Sequence, residues 1–535
     1  MQKIEITNCL LDWYRWFQKL IMMCVPVVLF SCATIPRDFE GNFLEISINE
    51  LQVAYTERII SATDVVRYYQ RRIAEIDPQL NSVIEINPDA LTIAAALDAE
   101  RETGSVRSRM HGVPVLLKDN IDTADTMLTT AGSLALVDVP KPTQDAHVVQ
   151  QLRSAGAIIL GKANLSEWAN FRSTNSASGW SGRGGQARNP YVLDRSPCGS
   201  SSGSAVAVAA NLTVVAVGTE TDGSVVCPAS INGVVGIKPT LGVVSRSGII
   251  PVAHSQDTAG PMARSVTDAT IMLNAMIGID ATDNASVSAG SRALIDYTRF
   301  LSRNGLRGKR IGVVRQLFND DAELNDLLNA QLQILEEGGA SLIDIEFDNM
   351  EVMSDAEFEV LLYEFKNDLN AYLKNRGGEY QSLATLIEFN NENSEAEMPF
   401  FGQELFEQAQ EKGELSDDMY REALRTSKRL SQAEGIDAVM TQHNLDALVA
   451  PGNEAAWPID HENGDNPYTY IPSSSLAAIS GYPSISVPAG FIENLPIGLL
   501  FFAGAFDEPT LISISYDYEQ RTLARRPPSF LPTND

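Results

Sequence analysis

Basic residues are scarce in this chain. Over 535 residues, 40 Lys and Arg face 69 Asp and Glu, leaving a formal charge of −29 at pH 7. Sequence-independent binding to phosphate backbones needs basic patches, so nucleic acid is not expected as a partner. Histidine is scarcer still. The five histidines are His111, His147, His254, His443 and His461, and none stands four residues from another. The five cysteines form no C-x-x-C pair. The usual spacings of a zinc site are therefore missing, and neither a metal nor a cofactor is expected. No repeat with a period of roughly 20 to 50 residues is present. Glycine (37) and proline (25) stand at ordinary levels, which argues against a collagen-like or wholly disordered chain. At 44% hydrophobic, the chain can bury a large core.

The first 32 residues read as a targeting segment rather than as fold. Lys3, Arg15 and Lys19 precede an apolar run of eleven residues, Leu20 to Phe30. Such a run is too short to span a bilayer, which takes about 20 residues, but it suits the core of a secretory signal. It ends in Leu29-Phe30-Ser31-Cys32, which resembles the lipobox of bacterial lipoproteins. That resemblance implies lipidation of Cys32, export, and a membrane anchor facing the periplasm or cell surface; cytoplasmic residence is the alternative. Glu5 and Asp12 reduce the segment's charge to 3 − 2 = +1. Cleavage before Cys32 would remove Cys9 and Cys24 and leave Cys198 and Cys227 as a candidate pair in an oxidising compartment.

Residues 33–535 read as one large α/β domain. Two amphipathic helices are expected between Ile46 and Asp77, ending at Asp77-Pro78. Ser82–Ile86 reads as a strand and Asp89–Glu102 as an Ala-rich helix. Val113–Leu117 contains Pro114, which suits a strand's beginning or a sheet's edge. Ala157–Leu160, Val214–Val217, Leu448–Pro451 and Ser484–Pro488 are further short buried runs, and Arg310–Phe347 reads strand, helix, strand. Continuous apolar runs separated by helices predict a central sheet covered on both faces. An acidic helical region at about 350–435 is expected as an insertion or cap.

Three segments could carry chemistry. Gly112-Val113-Pro114-Val115-Leu116-Leu117-Lys118-Asp119-Asn120 puts a lysine at the end of an apolar strand. Burial disfavours the ammonium, so such a lysine can be neutral near pH 7 and accept a proton, whereas a strand-end lysine reaching water would not. A Ser/Gly-rich stretch, 172–205, leads into the apolar run Ala205–Ala210 and contributes Ser200. Gly218-Thr219-Glu220-Thr221-Asp222-Gly223-Ser224 places a second serine in a turn whose N–H groups can converge on an oxyanion. Two rival readings exist for the Ser/Gly stretch. Gly199-Ser200-Ser201-Ser202-Gly203 matches G-x-S-x-G with Ser201 as nucleophile, but a polar, proline-interrupted lead-in replaces the strand that motif needs. A phosphate-cradling loop lacks the lysine that follows its last glycine.

Together the segments resemble the amidase signature family. Gly112-Val113-Pro114 through Lys118-Asp119 matches the segment that supplies its basic lysine. Ser200, after Gly199, matches the serine that follows a cis peptide bond. Ser224 lies 224 − 200 = 24 residues later, the family's nucleophile spacing. Ile237-Lys238-Pro239-Thr240, Asp257 through Arg264, and Gly481 through Gly490 also look like the family's, so the similarity runs from about 46 to 523 and is weakest between about 280 and 440. Cys198 and Ser202 stand where glycines are common, and Glu220-Thr221-Asp222 departs from Thr-Asp-x-Gly. These variants look most like the peptide amidase branch.

The resemblance implies an amidase-signature fold and hydrolysis of carboxamide C–N bonds, on a peptide amide or other small amide. It implies a Ser224–Ser200–Lys118 relay through an acyl-enzyme, with the N–H groups of Thr221, Asp222, Gly223 and Ser224 as the oxyanion hole. Lys238 is the rival base. Two other readings are an amidotransferase subunit that takes ammonia from glutamine, and an inactive peptide-binding lipoprotein.

Overall fold

The computed structural model describes residues 43–468 and 470–534; the signal-like segment with Cys32 lies outside the described residues. Helices form where the sequence supplies caps. Ile48–Thr56 and Ala62–Ile76 each open with a capping box, Ser47 with Glu50 and Ser61 with Asp64. Each box satisfies amide groups that a first turn leaves unpaired. Val65, Val66, Tyr69 and Ile73 form one buried stripe of the second helix, and the α-helix ends at Asp77-Pro78 as expected.

The strands are β1 (Val83–Ile86), β2 (Pro114–Lys118), β3 (Ile158–Ala163), β4 (Trp180–Ser181), β5 (Gly185–Gln186), β6 (Val215–Glu220) and β7 (Val235–Lys238). They continue with β8 (Thr258–Ala263), β9 (Arg310–Val314), β10 (Ser341–Ile345), β11 (Ala447–Pro451), β12 (Ser484–Ile492) and β13 (Leu495–Phe502). β4 and β5 pair with each other; the rest form one mixed sheet in the order β1-β3-β2-β6-β8-β7-β12-β13-β11-β9-β10. β2 runs parallel to β3 and β6, while β8 runs antiparallel to β6 and β7. β2 is thus interior. Pro114 is its first residue, where a missing N–H is tolerated.

Helices flank this sheet, the α/β arrangement the sequence predicts. Ser202–Ala209 is buried along its whole length. Its Ala, Val, Gly and Ser side chains are small enough for a helix with no solvent face to lie close to the sheet. The Ser/Gly-rich stretch before it is a folded, largely buried approach to that helix rather than a linker.

The expected helical region is present as Met350–Arg376, Leu383–Glu392, Ser394–Glu397, Glu404–Glu411 and Asp418–Ser431. Leu362, Phe365, Leu369 and Phe406 from this region pack with Trp168, Phe171, Ile250 and Val252 of the loops above the sheet. Each such side chain, fully buried, contributes about 1.5–3 kcal/mol. The region is therefore held to those loops by apolar contact.

Candidate active site

β2 carries Lys118 into the interior, where it is fully buried. Its Nζ lies 2.7 Å from Ser200 Oγ, 2.9 Å from Thr219 Oγ1 and 3.1 Å from the Thr219 carbonyl. Asn120 Nδ2 also donates to Thr219 Oγ1, at 2.9 Å. Among the described residues, no carboxylate bonds to Lys118 to offset its desolvation. Burial lowers its pKa to about 7, against a smaller upward pull from Asp257 and Glu220. At that value a substantial share of the amine is neutral. A neutral amine has two N–H bonds and one lone pair, so it can donate to Thr219 and accept the Ser200 hydroxyl proton.

Ser200 is fully buried, and its peptide bond to Gly199 is cis, as the resemblance implies. A Cβ on Gly199 would come within 2.1 Å of Ser166 Oγ, so only glycine fits there. The neighbouring Ser201 is equally buried. Its Oγ donates to the Thr219 carbonyl at 3.0 Å and accepts the Thr219 N–H at 3.1 Å. Ser201 is thus a brace between loop and strand, and the elbow-serine reading fails on its engagement.

β6 ends at Glu220 and the chain turns through Thr221–Ser224 into the helix Val226–Ile231. Gly223 has φ +75°, and a Cβ there would meet Tyr470 Oη at 2.6 Å, so both conformation and space call for glycine. Side chains fix the turn from three sides. Glu220 Oε2 accepts the N–H groups of Val225 (2.7 Å) and Val226 (3.0 Å). Thr221 Oγ1 donates to Asp257 at 2.6 Å, and Asp257 also accepts the N–H groups of Val252 and Ala253. Asp222 accepts from Ser474 Oγ at 2.5 Å and Ser475 Oγ at 2.7 Å. Among the described residues, no acceptor within the chain takes the N–H of Thr221, Asp222, Gly223 or Ser224. The turn is braced by its side chains while its amides remain open.

A disulfide joins Cys198, two residues before Ser200, to Cys227, three residues after Ser224, with the Cα atoms 6.2 Å apart. The candidate pair does bond. It ties the serine loop to the turn, next to the backbone contact from Ser201 N–H to the Ser224 carbonyl at 3.1 Å.

Ser224 is 7% exposed and opens with Cys198 and Gly199 onto a cavity of about 450 Å³. Phe171, Trp457, Tyr468 and Tyr470 line it, together with Leu361 and Leu405 from the helical region. Asp222 and Asp465 are the charged residues of its wall, and no Lys or Arg is among the described lining residues.

Lys238 sits elsewhere. It is buried at the end of β7 and its Nζ donates to the carbonyls of Tyr482 and Pro239, not to a serine. Burial lowers its pKa to about 8, opposed by Glu220, Glu508 and Asp222. The structure brings Lys118, and not Lys238, to Ser200. The histidines lie apart from this constellation. His254, Glu364 and Asp368 do converge, but His254 Nδ1 is bonded to Asp368 at 2.8 Å. The Glu364 oxygens accept from Ser255 N–H and Tyr420 Oη.

Sequence reasoning missed Thr219, Asn120 and Asp257. Asp257 heads the motif Asp257-Thr258-Ala259-Gly260-Pro261, so its place in that run was the signal that could have found it. Ser474 and Ser475 lie far along the chain in a serine run with no distinguishing spacing.

This fold and site belong to one class. The amidase family model matches residues 64–512, and the chain belongs to that family, the amidase signature proteins. It is a hydrolase of amide C–N bonds. A probable amidase of Arabidopsis thaliana is 42% identical over 513 residues, covering 94% of each chain. The native peptide amidase of Stenotrophomonas maltophilia is 50% identical with a TM-score of 0.87, covering 92% of this chain and 99% of that one. A structure of the peptide amidase PAM in complex with the competitive inhibitor chymostatin is 51% identical. Its TM-score is 0.89, and the match covers 91% of this chain and 100% of that one.

Proposed function

We propose that this amidase works by a Ser224–Ser200–Lys118 relay on peptide amides or other small carboxamides. The observation that carries the reading is the 2.7 Å contact between a buried lysine amine and Ser200 Oγ. Neutral Lys118 accepts the Ser200 proton as Ser200 accepts that of Ser224, and Ser224 Oγ attacks the amide carbon. The open amides of Thr221–Ser224 receive the developing oxyanion; a donor of this kind is worth about 3 kcal/mol. The C–N bond then breaks as the relayed proton passes to the leaving nitrogen. Water attacks the acyl-enzyme by the same route and releases the acid.

The acyl portion occupies the aromatic cavity above Ser224. Likeness to a peptide amidase that binds chymostatin supports a peptide-like acyl portion. The wall carries Asp222 and Asp465 and no described Lys or Arg, which leaves the α-carboxylate of glutamine without a counter-charge and disfavours the amidotransferase reading. The helices of 350–435 act as a cap, contributing Leu361 and Leu405 to the wall. Export and lipidation at Cys32 complete the proposal, and the Cys198–Cys227 disulfide is compatible with an oxidising compartment. Radiolabelled lipid on the wild type but not on Cys32→Ala would support the anchor; equal labelling, or none on either, would refute it.

The catalytic reading is tested by ammonia release from a panel of C-terminal peptide amides, with free glutamine as the comparison. Release from the peptide amides, lost in Ser224→Ala, is expected. Cleavage of aryl or acyl amides alone would move the substrate class, and release unchanged in Ser224→Ala would remove the nucleophile.

A further inference from the structure

Gln256 stands between the Thr221–Ser224 turn and the helical region. It is buried, and its Nε2 carries two hydrogens. Nε2 donates to the Thr221 carbonyl at 3.3 Å and to Glu357 Oε1 at 2.7 Å. Glu357 is buried as well and belongs to the helix Met350–Arg376. Glu364 and Asp368, on the same face of that helix, accept the N–H groups of Ser255 (2.8 Å) and His254 (3.0 Å). Lys428, on the helix Asp418–Ser431, donates to the Ser255 carbonyl at 2.9 Å. Residues 254–256 are thus clasped by two helices, and Gln256 extends that clasp to the turn.

We propose that Gln256 and Glu357 are positioning residues for the oxyanion turn, through which the helical region sets how well the enzyme holds its transition state. This rests on the oxyanion role given above to the turn. The Thr221 carbonyl and the Asp222 N–H belong to one peptide unit, which is trans. Such a unit is planar, with its C=O and N–H pointing in opposite directions. A donor fixed on the Thr221 carbonyl therefore fixes where the open Asp222 N–H points. Asp257 already holds the Thr221 side chain; Gln256 holds its main chain. The bond also polarises the peptide and strengthens its N–H as a donor. Gln256 is in turn aimed by Glu357, whose oxygen takes the second Nε2 hydrogen. Burial, with Asp222 nearby, pushes the Glu357 carboxyl well above the usual carboxylate range, against Gln256 and Lys428. A neutral carboxyl accepts this bond without setting a negative charge near the oxyanion.

The test compares the full-length enzyme with Gln256→Met, Glu357→Met and Glu357→Gln. Methionine keeps the side-chain length and fills the space while removing the bond. Fluorophosphonate label on Ser224, taken to completion, counts active sites, so that unfolded protein drops out of kcat. In both Met variants kcat for a primary peptide amide should fall at least about tenfold, within the roughly 10²-fold that a 1 Å misplacement costs. KM should stay within about twofold, as for an interaction made only in the transition state. Ki for the matching peptide aldehyde, whose hemiacetal with Ser224 places an oxygen in the turn, should rise with the loss in kcat. Ki for the product acid should not change. Glu357→Gln keeps an uncharged acceptor and should keep the wild-type kcat. Four results would each overturn the inference while the wild type still releases ammonia: kcat unchanged in both Met variants, aldehyde and acid affinity falling together, loss of activity in Glu357→Gln, or no labelled protein in either Met variant. A wild type that neither releases ammonia nor takes label on Ser224 would overturn the catalytic reading and this one with it.

Discussion

The ends of β2 and β7 offer the same residue in nearly the same burial, and only one of them, Lys118, meets a serine hydroxyl. Lys118 is fully buried and Lys238 is 1% exposed; burial lowers the pKa of both, to about 7 and about 8. A depressed pKa alone therefore does not identify the base. The difference is what the amine meets. Lys118 reaches a serine hydroxyl that can give up a proton, while Lys238 reaches carbonyl oxygens that cannot. Lys238 instead sits near Glu220, Asp222 and Glu508; Glu220 and Asp222 brace the Thr221–Ser224 turn, and Glu508 accepts the Thr240 N–H. Geometry, not burial, sets the proposed base apart from Lys238.

The comparison breaks most visibly at Lys118. In Lys118→Ala, kcat/KM for the best amide should fall by about 10⁴, the upper range for loss of a general base, with the melting temperature near that of the wild type. Lys238→Ala should show the reverse. Removing one partner from a buried charge cluster costs about 3–5 kcal/mol, so its urea midpoint should fall sharply while the folded fraction keeps activity. If Lys238→Ala abolished turnover at unchanged stability, the roles assigned here would be exchanged.

A double Cys198→Ser, Cys227→Ser variant should lose about 3 kcal/mol of stability by urea unfolding, the amount typical for a loop of this order. Activity should suffer less than in Lys118→Ala, since both serines remain. The smallest effect is on pH dependence. Only the neutral form of Lys118 accepts a proton, so kcat/KM should rise with pH through about 7. Asp257 raises the lysine's pKa, so Asp257→Asn, by removing that charge, should move this limb to lower pH. A limb that stayed in place or moved upward would show that Asp257 does not act on the lysine.

Much of the site was legible because its residues recur in motifs with fixed spacing: Lys118 after its apolar run, and Ser200 and Ser224 24 positions apart. What surrounds them was not. Thr219, Asn120 and Asp257 are ordinary polar residues whose importance lies in which atoms they meet across the sheet, and sequence spacing does not encode those meetings. β8 was equally hard to read, since Gly260 and Pro261 interrupt it. Proline ordinarily argues against an interior strand, yet the strand is enclosed by β6 and β7. The acidic helical region was legible as helix. Its docking on Trp168 and Phe171 was not, because the apolar partners lie far apart in the chain, Phe365 against Phe171 and Phe406 against Trp168.

The most direct test of the Ser224–Ser200–Lys118 relay is fluorophosphonate labelling of the wild type and Lys118→Ala, followed by peptide mapping. Label on Ser224 in the wild type and its loss in Lys118→Ala are expected. Label on Ser201, or label on Ser224 that persists undiminished without the lysine, would contradict it.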